Sequence, residues 1–341
     1  MRCRRRYAPT CDRFAGVYTA PVNSSNIAVA GVTIDDIRAA SARLGQSIHR
    51  TPLLSSRSLS DAIGVEVRLK CENLQRAGSF KIRGAMNALL QLSENERRNG
   101  VVAFSSGNHA QGVALAAKTL GIKATIVMPE NSVQMKVDAT KAYGAEVVTA
   151  GVTSATRDTV AKEIAEKSGA AVIPPFDDWR IIAGAGTVGL EIVEEWPDVE
   201  TIVTPLGGGG LLSGVAIAAT SLKPGIDVYG VEPRAGNDGE QSFKSGRIVS
   251  IDPPKTIADG ARTLAIGDRN FAVIRERVRD VVSVEDDVLL SAVKLAMYRT
   301  KLVIEPTGAL GIAALLSGAI KPRGRTAIVV SGGNIDFSLL C

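Results

Sequence analysis

The sequence has only two histidines and four cysteines in 341 residues. With His49 and His109 alone, a histidine-rich metal centre or a histidine-based hydrolase triad has little to draw on. Cys3, Cys11, Cys71 and Cys341 show no metal-binding spacing, so they are expected to be reduced and incidental. No hydrophobic run reaches membrane-spanning length, and no apolar signal segment follows the charged start, which points to a soluble cytoplasmic protein with no membrane partner. No Gly-Lys-Ser or Gly-Lys-Thr closes a glycine loop, which removes a Walker-type nucleotide site. Excess charge is also scarce beyond the first segment. Of the net +5, residues 1–31 hold five arginines and one aspartate, leaving 35 basic and 34 acidic residues in the rest. A nucleic-acid-binding face is therefore not expected.

What is present is a chain of 45% hydrophobic and 22% charged residues, long enough for two hydrophobic cores. Residues 1–31, with Arg2, Arg4, Arg5, Arg6 and Arg13, read as a disordered extension before the first amphipathic helix at about Ile34 to Leu44. From residue 101 strands alternate with helices: strands at Val101 to Phe104, Ala124 to Met128, Ala145 to Thr149 and Ala171 to Ile173, helices from Asn108, Ser132 and Ala155. A second alternating set has strands near Ile202, Val228, Val281 and Ile328. This pattern predicts an α/β protein with two open, doubly wound, mainly parallel sheets, and a ligand at the carboxyl ends of the strands.

Four Gly/Ser-rich segments mark those strand ends. They are Gly78-Ser79-Phe80-Lys81-Ile82-Arg83-Gly84, Ser105-Ser106-Gly107-Asn108-His109, Gly207-Gly208-Gly209-Gly210 and Ser331-Gly332-Gly333-Asn334. Four consecutive glycines destabilise both helix and strand. Placed between the apolar strand Thr201 to Leu206 and the helical pattern of Leu211, Leu212, Val215 and Ala216, they let backbone N–H groups converge on a phosphate at a helix N-terminus. Lys81 opens an apolar helix from a glycine-bounded turn, where desolvation lowers a lysine's pKa and prepares it for Schiff-base chemistry. Ser105 and Ser106 suit N-capping or carboxylate capture at the next helix, two uses of one geometry. A literal G-x-G-x-x-G at Gly184 to Gly189 invites a dinucleotide reading. The short helix expected after it meets Pro197, and the next strand ends at Leu206 with no acidic residue for a ribose, so close helix packing is the better explanation.

In this order and at these separations the four segments resemble the pyridoxal-phosphate (PLP) enzymes of fold type II, the tryptophan synthase β-like fold, and within them the threonine/serine dehydratase and serine racemase branch. The resemblance covers about residues 32 to 338. It implies a large domain of 32–98 and 177–341, a small domain of 99–176, and PLP on Lys81 next to Phe80. It implies the phosphate on Gly207, Gly208, Gly209, Gly210 and Leu211, and Ser331 facing the pyridine nitrogen. It also implies the substrate carboxylate on Ser105, Ser106, Gly107, Asn108 and His109, with Asn108 on the cofactor's phenolic oxygen, His109 as scaffold, and Glu305 beside the cofactor. Glu232, Asp238 and the Gly236 carbonyl match a loop that holds magnesium or another divalent cation.

The implied reaction is β-elimination from L-threonine or L-serine, giving 2-oxobutanoate or pyruvate plus ammonia. Racemisation is the alternative, because Ser106 could reprotonate Cα from the opposite face, and so is 3-hydroxyaspartate dehydration. A cofactor-free amino-acid-binding module would also use such a cleft but would not need Lys81. Relatives are usually homodimers or homotetramers. The chain ends five residues after Asp336, so no C-terminal regulatory domain is expected and a catabolic role fits.

Overall fold

The computed structural model describes residues 31–340 except Ser106, Val133, Ser154 and Ala155. The extension expected at 1–31 lies outside the described residues apart from Gly31, as do Cys3, Cys11 and Cys341. Cys71 is a free, buried cysteine. No described helix is long and apolar enough to cross a membrane.

Among the described residues ten strands form two sheets. The first contains β1 (Leu53–Ser55), β2 (Val67–Cys71), β7 (Thr201–Pro205), β8 (Asp227–Pro233), β9 (Asp280–Val284) and β10 (Thr326–Val330), in the order β1-β2-β10-β7-β8-β9. Only β1 runs antiparallel to its neighbour. The second contains β3 (Val101–Phe104), β4 (Ala124–Val127), β5 (Glu146–Val148) and β6 (Ala171–Val172), all parallel, in the order β5-β4-β3-β6. Every expected strand is present, because each is a short apolar run bounded by turn residues. Parallel pairing buries both faces of the central strands: all five residues of β7 and of β10 are buried.

Chain order and sheet order differ in a way that matters for the site. β10, last in sequence, inserts between β2 and β7. Residues after the carboxyl ends of three adjacent central strands therefore meet, where ligands bind in open α/β sheets.

The G-x-G-x-x-G run is not a strand-turn-helix junction. It lies inside the Trp179–Glu195 helix, which corrects the expectation of a separate short helix after it. A Cβ on Gly184 would sit 2.5 Å from the Arg83 carbonyl, and one on Gly189 would sit 2.9 Å from Val215 Cα. These glycines let the Lys81–Leu89 and Gly210–Leu222 helices approach, which is the packing explanation. The Lys81–Leu89 helix also shares a core with the second sheet, through Ile82, Ala85, Met86 and Leu89 with Val101, Ala103, Ala124 and Ile126. That helix sits between both layers.

Candidate active site

Lys81 is the first residue of its helix. The turn before it holds Ala77 at φ 57, a left-handed conformation that costs a non-glycine residue about 1–2 kcal/mol. That turn is laced to the loop after β10: Phe80 N–H donates to the Ser331 carbonyl (3.1 Å), Gly333 N–H donates to the Gly78 carbonyl (2.9 Å), and Ser79 bridges Gly332. Lys81 Nζ donates to the Pro175 carbonyl at 2.8 Å. Removal from water pushes the amine down to about 8, with Glu305 pulling in the opposite direction.

Lys81 opens onto a cleft shared with Phe80, Phe176, Gly207 to Gly210, Leu211 and Ser331. The glycine loop leads into the Gly210–Leu222 helix, whose first N–H groups have no partner within the helix. Its side-chain positions are already taken. A Cβ on Gly207 would lie 3.1 Å from the Gly260 carbonyl, one on Gly209 would lie 2.6 Å from Asn270 Cβ, and one on Gly208 would overlap the Phe176 ring. Gly209 also has φ +100, which side chains avoid. Only backbone can line this cradle, which fits a phosphate held by N–H groups at a helix N-terminus.

The Ser105 to His109 and Ser331 to Asn334 segments are tied to the turn before Lys81 through a chain of amides. Asn334 Nδ2 donates to the Ala77 carbonyl and to Asn108 Oδ1, both at 2.9 Å, and Asn108 Nδ2 donates to Glu305 Oε1 at 2.7 Å. Glu305 is 1% exposed and its Oε2 has no hydrogen-bond partner. Burial, then nearby Asp259, pushes its carboxyl up to about 8, against Lys136 and Asn108. Ser105 Oγ accepts from Gly107 N–H at 3.2 Å. His109 is buried and bonded through Nε2 to the Ile173 carbonyl at 3.0 Å, and burial, then the Lys81 charge, pushes it down to about 3. The imidazole is thus held neutral against the backbone after β6. Ser106 lies outside the described residues.

The acidic pair forms a second centre. Glu232, at the end of β8, accepts from Gly239 N–H (3.2 Å) and Glu240 N–H (2.8 Å), whereas neither oxygen of Asp238 has a donor at hydrogen-bonding distance and angle. Both side chains are fully buried. Burial, then the charge of Asp238, holds Glu232 well above its ordinary value, and burial raises Asp238 to about 7 against its own backbone N–H and then the Thr263 hydroxyl. Gly236 is buried in the 3-10 turn between them. No cluster of three or more His, Cys, Asp or Glu suited to a metal occurs among the described residues. Two adjacent buried carboxyls, one of them with neither oxygen meeting a donor, nevertheless fit a hard cation that also takes carbonyl and water ligands.

Several cleft residues have no motif to announce them. Pro175 and Phe176 follow β6, and Gly260 reaches the cleft by donating its N–H to Thr307 Oγ1 at 3.0 Å. Pro175 and Phe176 are signalled only by their place just past a strand's carboxyl end and Thr307 by lying two residues from Glu305, while Gly260 carries no such signal.

The model of the pyridoxal-phosphate dependent enzymes matches residues 44–332, and the chain belongs to that family. It is 48% identical to an L-threo-3-hydroxyaspartate ammonia-lyase of Saccharomyces cerevisiae over 89% of this chain and 94% of that protein. It is also 48% identical to a serine racemase of Schizosaccharomyces pombe over 89% and 95%. Its fold superposes on a T.th. threonine deaminase with a TM-score of 0.86, 46% identity and coverage of 90% and 99%. The α/β architecture of fold type II and the PLP-dependent lyase and racemase class follow from these matches.

Proposed function

We propose that this enzyme is a hydroxy amino acid ammonia-lyase that removes the β-hydroxyl of L-threonine or L-serine, yielding 2-oxobutanoate or pyruvate plus ammonia. One observation carries the proposal: the amine of Lys81 is drawn down to about 8 in a cleft lined by a cradle only glycine can form. PLP, when bound, supplies an electron sink that makes the substrate's Cα–H acidic. Lys81 would hold the cofactor, and its free amine would take the Cα proton. N–H groups of Gly207 to Gly210 and Leu211 would hold the phosphate, while the Ser105 to His109 loop would hold the substrate carboxylate and so orient Cα–H toward Lys81. Asn108, pinned by Asn334 and Glu305, would hydrogen-bond the cofactor's phenolic oxygen. Ser331 would hydrogen-bond the pyridine nitrogen without keeping it protonated as a carboxylate would, which would favour prompt loss of the hydroxyl as water. The released enamine takes up water and becomes the keto acid and ammonia.

Glu232, Asp238 and the Gly236 carbonyl would hold a magnesium or similar ion. Its effect would reach the cleft, since Ala261 lies against both the Gly236 loop and the glycine loop. A small domain of 99–176, a homodimer or homotetramer and a cytoplasmic location complete the proposal. The first of these is supported by the separate sheet of β3 to β6.

A second reading is supported by the two relatives at 48% identity: 3-hydroxyaspartate as the eliminated substrate, or racemisation of serine with Ser106 as the opposing acid. The test is a panel of L-threonine, L-serine and L-threo-3-hydroxyaspartate assayed for keto acid, ammonia and enantiomer, with borohydride trapping of the cofactor. Label on Lys81 and keto acid from threonine or serine are expected. D-serine forming faster than pyruvate, or turnover of hydroxyaspartate alone, would overturn the ranking.

A further inference from the structure

Behind the Lys81 helix lies a neutral group of four buried charges that the reaction does not use. Lys70, Glu72 and Arg83 are 0% exposed and Glu191 is 5% exposed. Arg83 grips Glu72 in a two-pronged pair, Nε to Oε2 and Nη2 to Oε1, both 2.8 Å. It also donates to Glu191 from Nη1 (2.6 Å) and Nη2 (2.9 Å), and to Thr187 Oγ1 (3.0 Å). Lys70 Nζ completes the set on Glu191 Oε2 at 2.6 Å and on the Thr51 carbonyl at 2.6 Å. Burial opposes the charge on Arg83, but Glu72 and Glu191 more than offset it, so the guanidinium stays ionised.

Stability does not explain such a group, since desolvation of buried ion pairs commonly cancels their attraction and apolar replacements are often as stable. Geometry explains it better. Arg83 follows Lys81 by two residues, about 200° around the helix and about 3 Å along it, so the two side chains leave the first turn on nearly opposite faces. The planar guanidinium fork accepts one orientation. Its partners sit on two fixed bodies, the end of β2 with the turn after it and the Trp179–Glu195 helix. Holding Arg83 therefore sets the roll of the first turn, and with it the direction of Lys81.

We propose that Arg83 is the positioning residue for Lys81, with the Glu72–Arg83–Glu191–Lys70 quartet fixing the angle at which the amine meets cofactor and substrate. The proposal rests on Lys81 being the PLP lysine. The test is Arg83→Lys, which keeps the charge and loses the fork. Rates are normalised to the borohydride label on Lys81, and Leu289→Ala, in a core that contains no residue of that helix, serves as a destabilised control.

Misplacement of a reacting group by about 1 Å can cost about 100-fold. Arg83→Lys is accordingly expected to lower kcat about 10- to 100-fold with KM within about threefold, and to slow the growth of the visible cofactor band when PLP is added to apoprotein. Leu289→Ala is expected to lower the melting temperature and leave both rates at parental values. Parental kcat and band growth in Arg83→Lys would overturn the proposal, whatever its melting temperature. Should that variant not fold, Thr187→Val, which removes one Arg83 contact without changing charge, decides: a smaller fall in both rates supports the proposal and parental rates sink it. Absence of label at Lys81 in the parent would instead overturn the cofactor assignment.

Discussion

Phe80 and Ser331 are joined by a backbone hydrogen bond of 3.1 Å, from the N–H of one to the carbonyl of the other. They lie far apart in the chain, yet this bond and the Ser79–Gly332 bridge beside it make the Lys81 turn an extension of the loop after β10. Lys81 and Ser331 consequently face one cleft at a separation the main chain fixes, which is the preorganisation a covalently held cofactor requires.

The glycine cradle predicts a selective loss of cofactor. Gly209→Ala places a Cβ against Asn270 at a backbone angle that side chains avoid. The variant is expected to fold with the parental far-ultraviolet dichroism while the dissociation constant for PLP rises at least about tenfold, equivalent to about 1.4 kcal/mol. Equilibrium titration of the visible band measures it, and unchanged affinity would exclude Gly209 from the phosphate site.

The acidic pair predicts a pH dependence of stability in the metal-free protein. Asp238 is raised from 3.8 to about 7, and Glu232 is raised as well. Between about pH 4 and about pH 7 the folded state therefore binds more protons than the unfolded state, so this pair's contribution to stability falls as pH rises through that window. With a chelator present, Asp238→Asn should weaken the decline in melting temperature between about pH 5 and about pH 7.5. Magnesium should raise the parent's melting temperature more at the upper pH, because there it no longer competes with protons. An equal gain at both pH values would remove the cation from this site.

Gly184→Ala tests the packing role of the G-x-G-x-x-G run. Its Cβ would lie 2.5 Å from the Arg83 carbonyl, with no flexible side chain to yield. Overpacking of this kind costs about 1–3 kcal/mol, readable by urea denaturation. Added NAD is expected to leave the melting temperature of the parent unchanged.

Much of this was legible in the sequence because the signals are local. Strand positions follow from short apolar runs, and the helix of Ile34–Leu44 appears with the bounds its pattern predicts. The four glycine-rich segments stand out because glycine in such runs is unfavourable unless a close approach requires it. The G-x-G-x-x-G run misled about its setting for the same reason: close helix packing and a nucleotide turn both select glycine, and only the neighbours distinguish them. Pro175, Phe176, Gly260 and Thr307 reach the cleft through tertiary placement and carry no local pattern.

The sequence by itself determined the α/β class, the lysine, the glycine cradle and the acidic pair, since each is a property of a residue and its chain neighbours. The tertiary structure decided which segments meet. Insertion of β10 between β2 and β7 brings Ser331 beside Lys81, and packing of the Trp179–Glu195 helix encloses Arg83 between Glu72 and Glu191. Strand order and helix burial arise from contacts summed over the whole chain, so no single stretch of sequence encodes them.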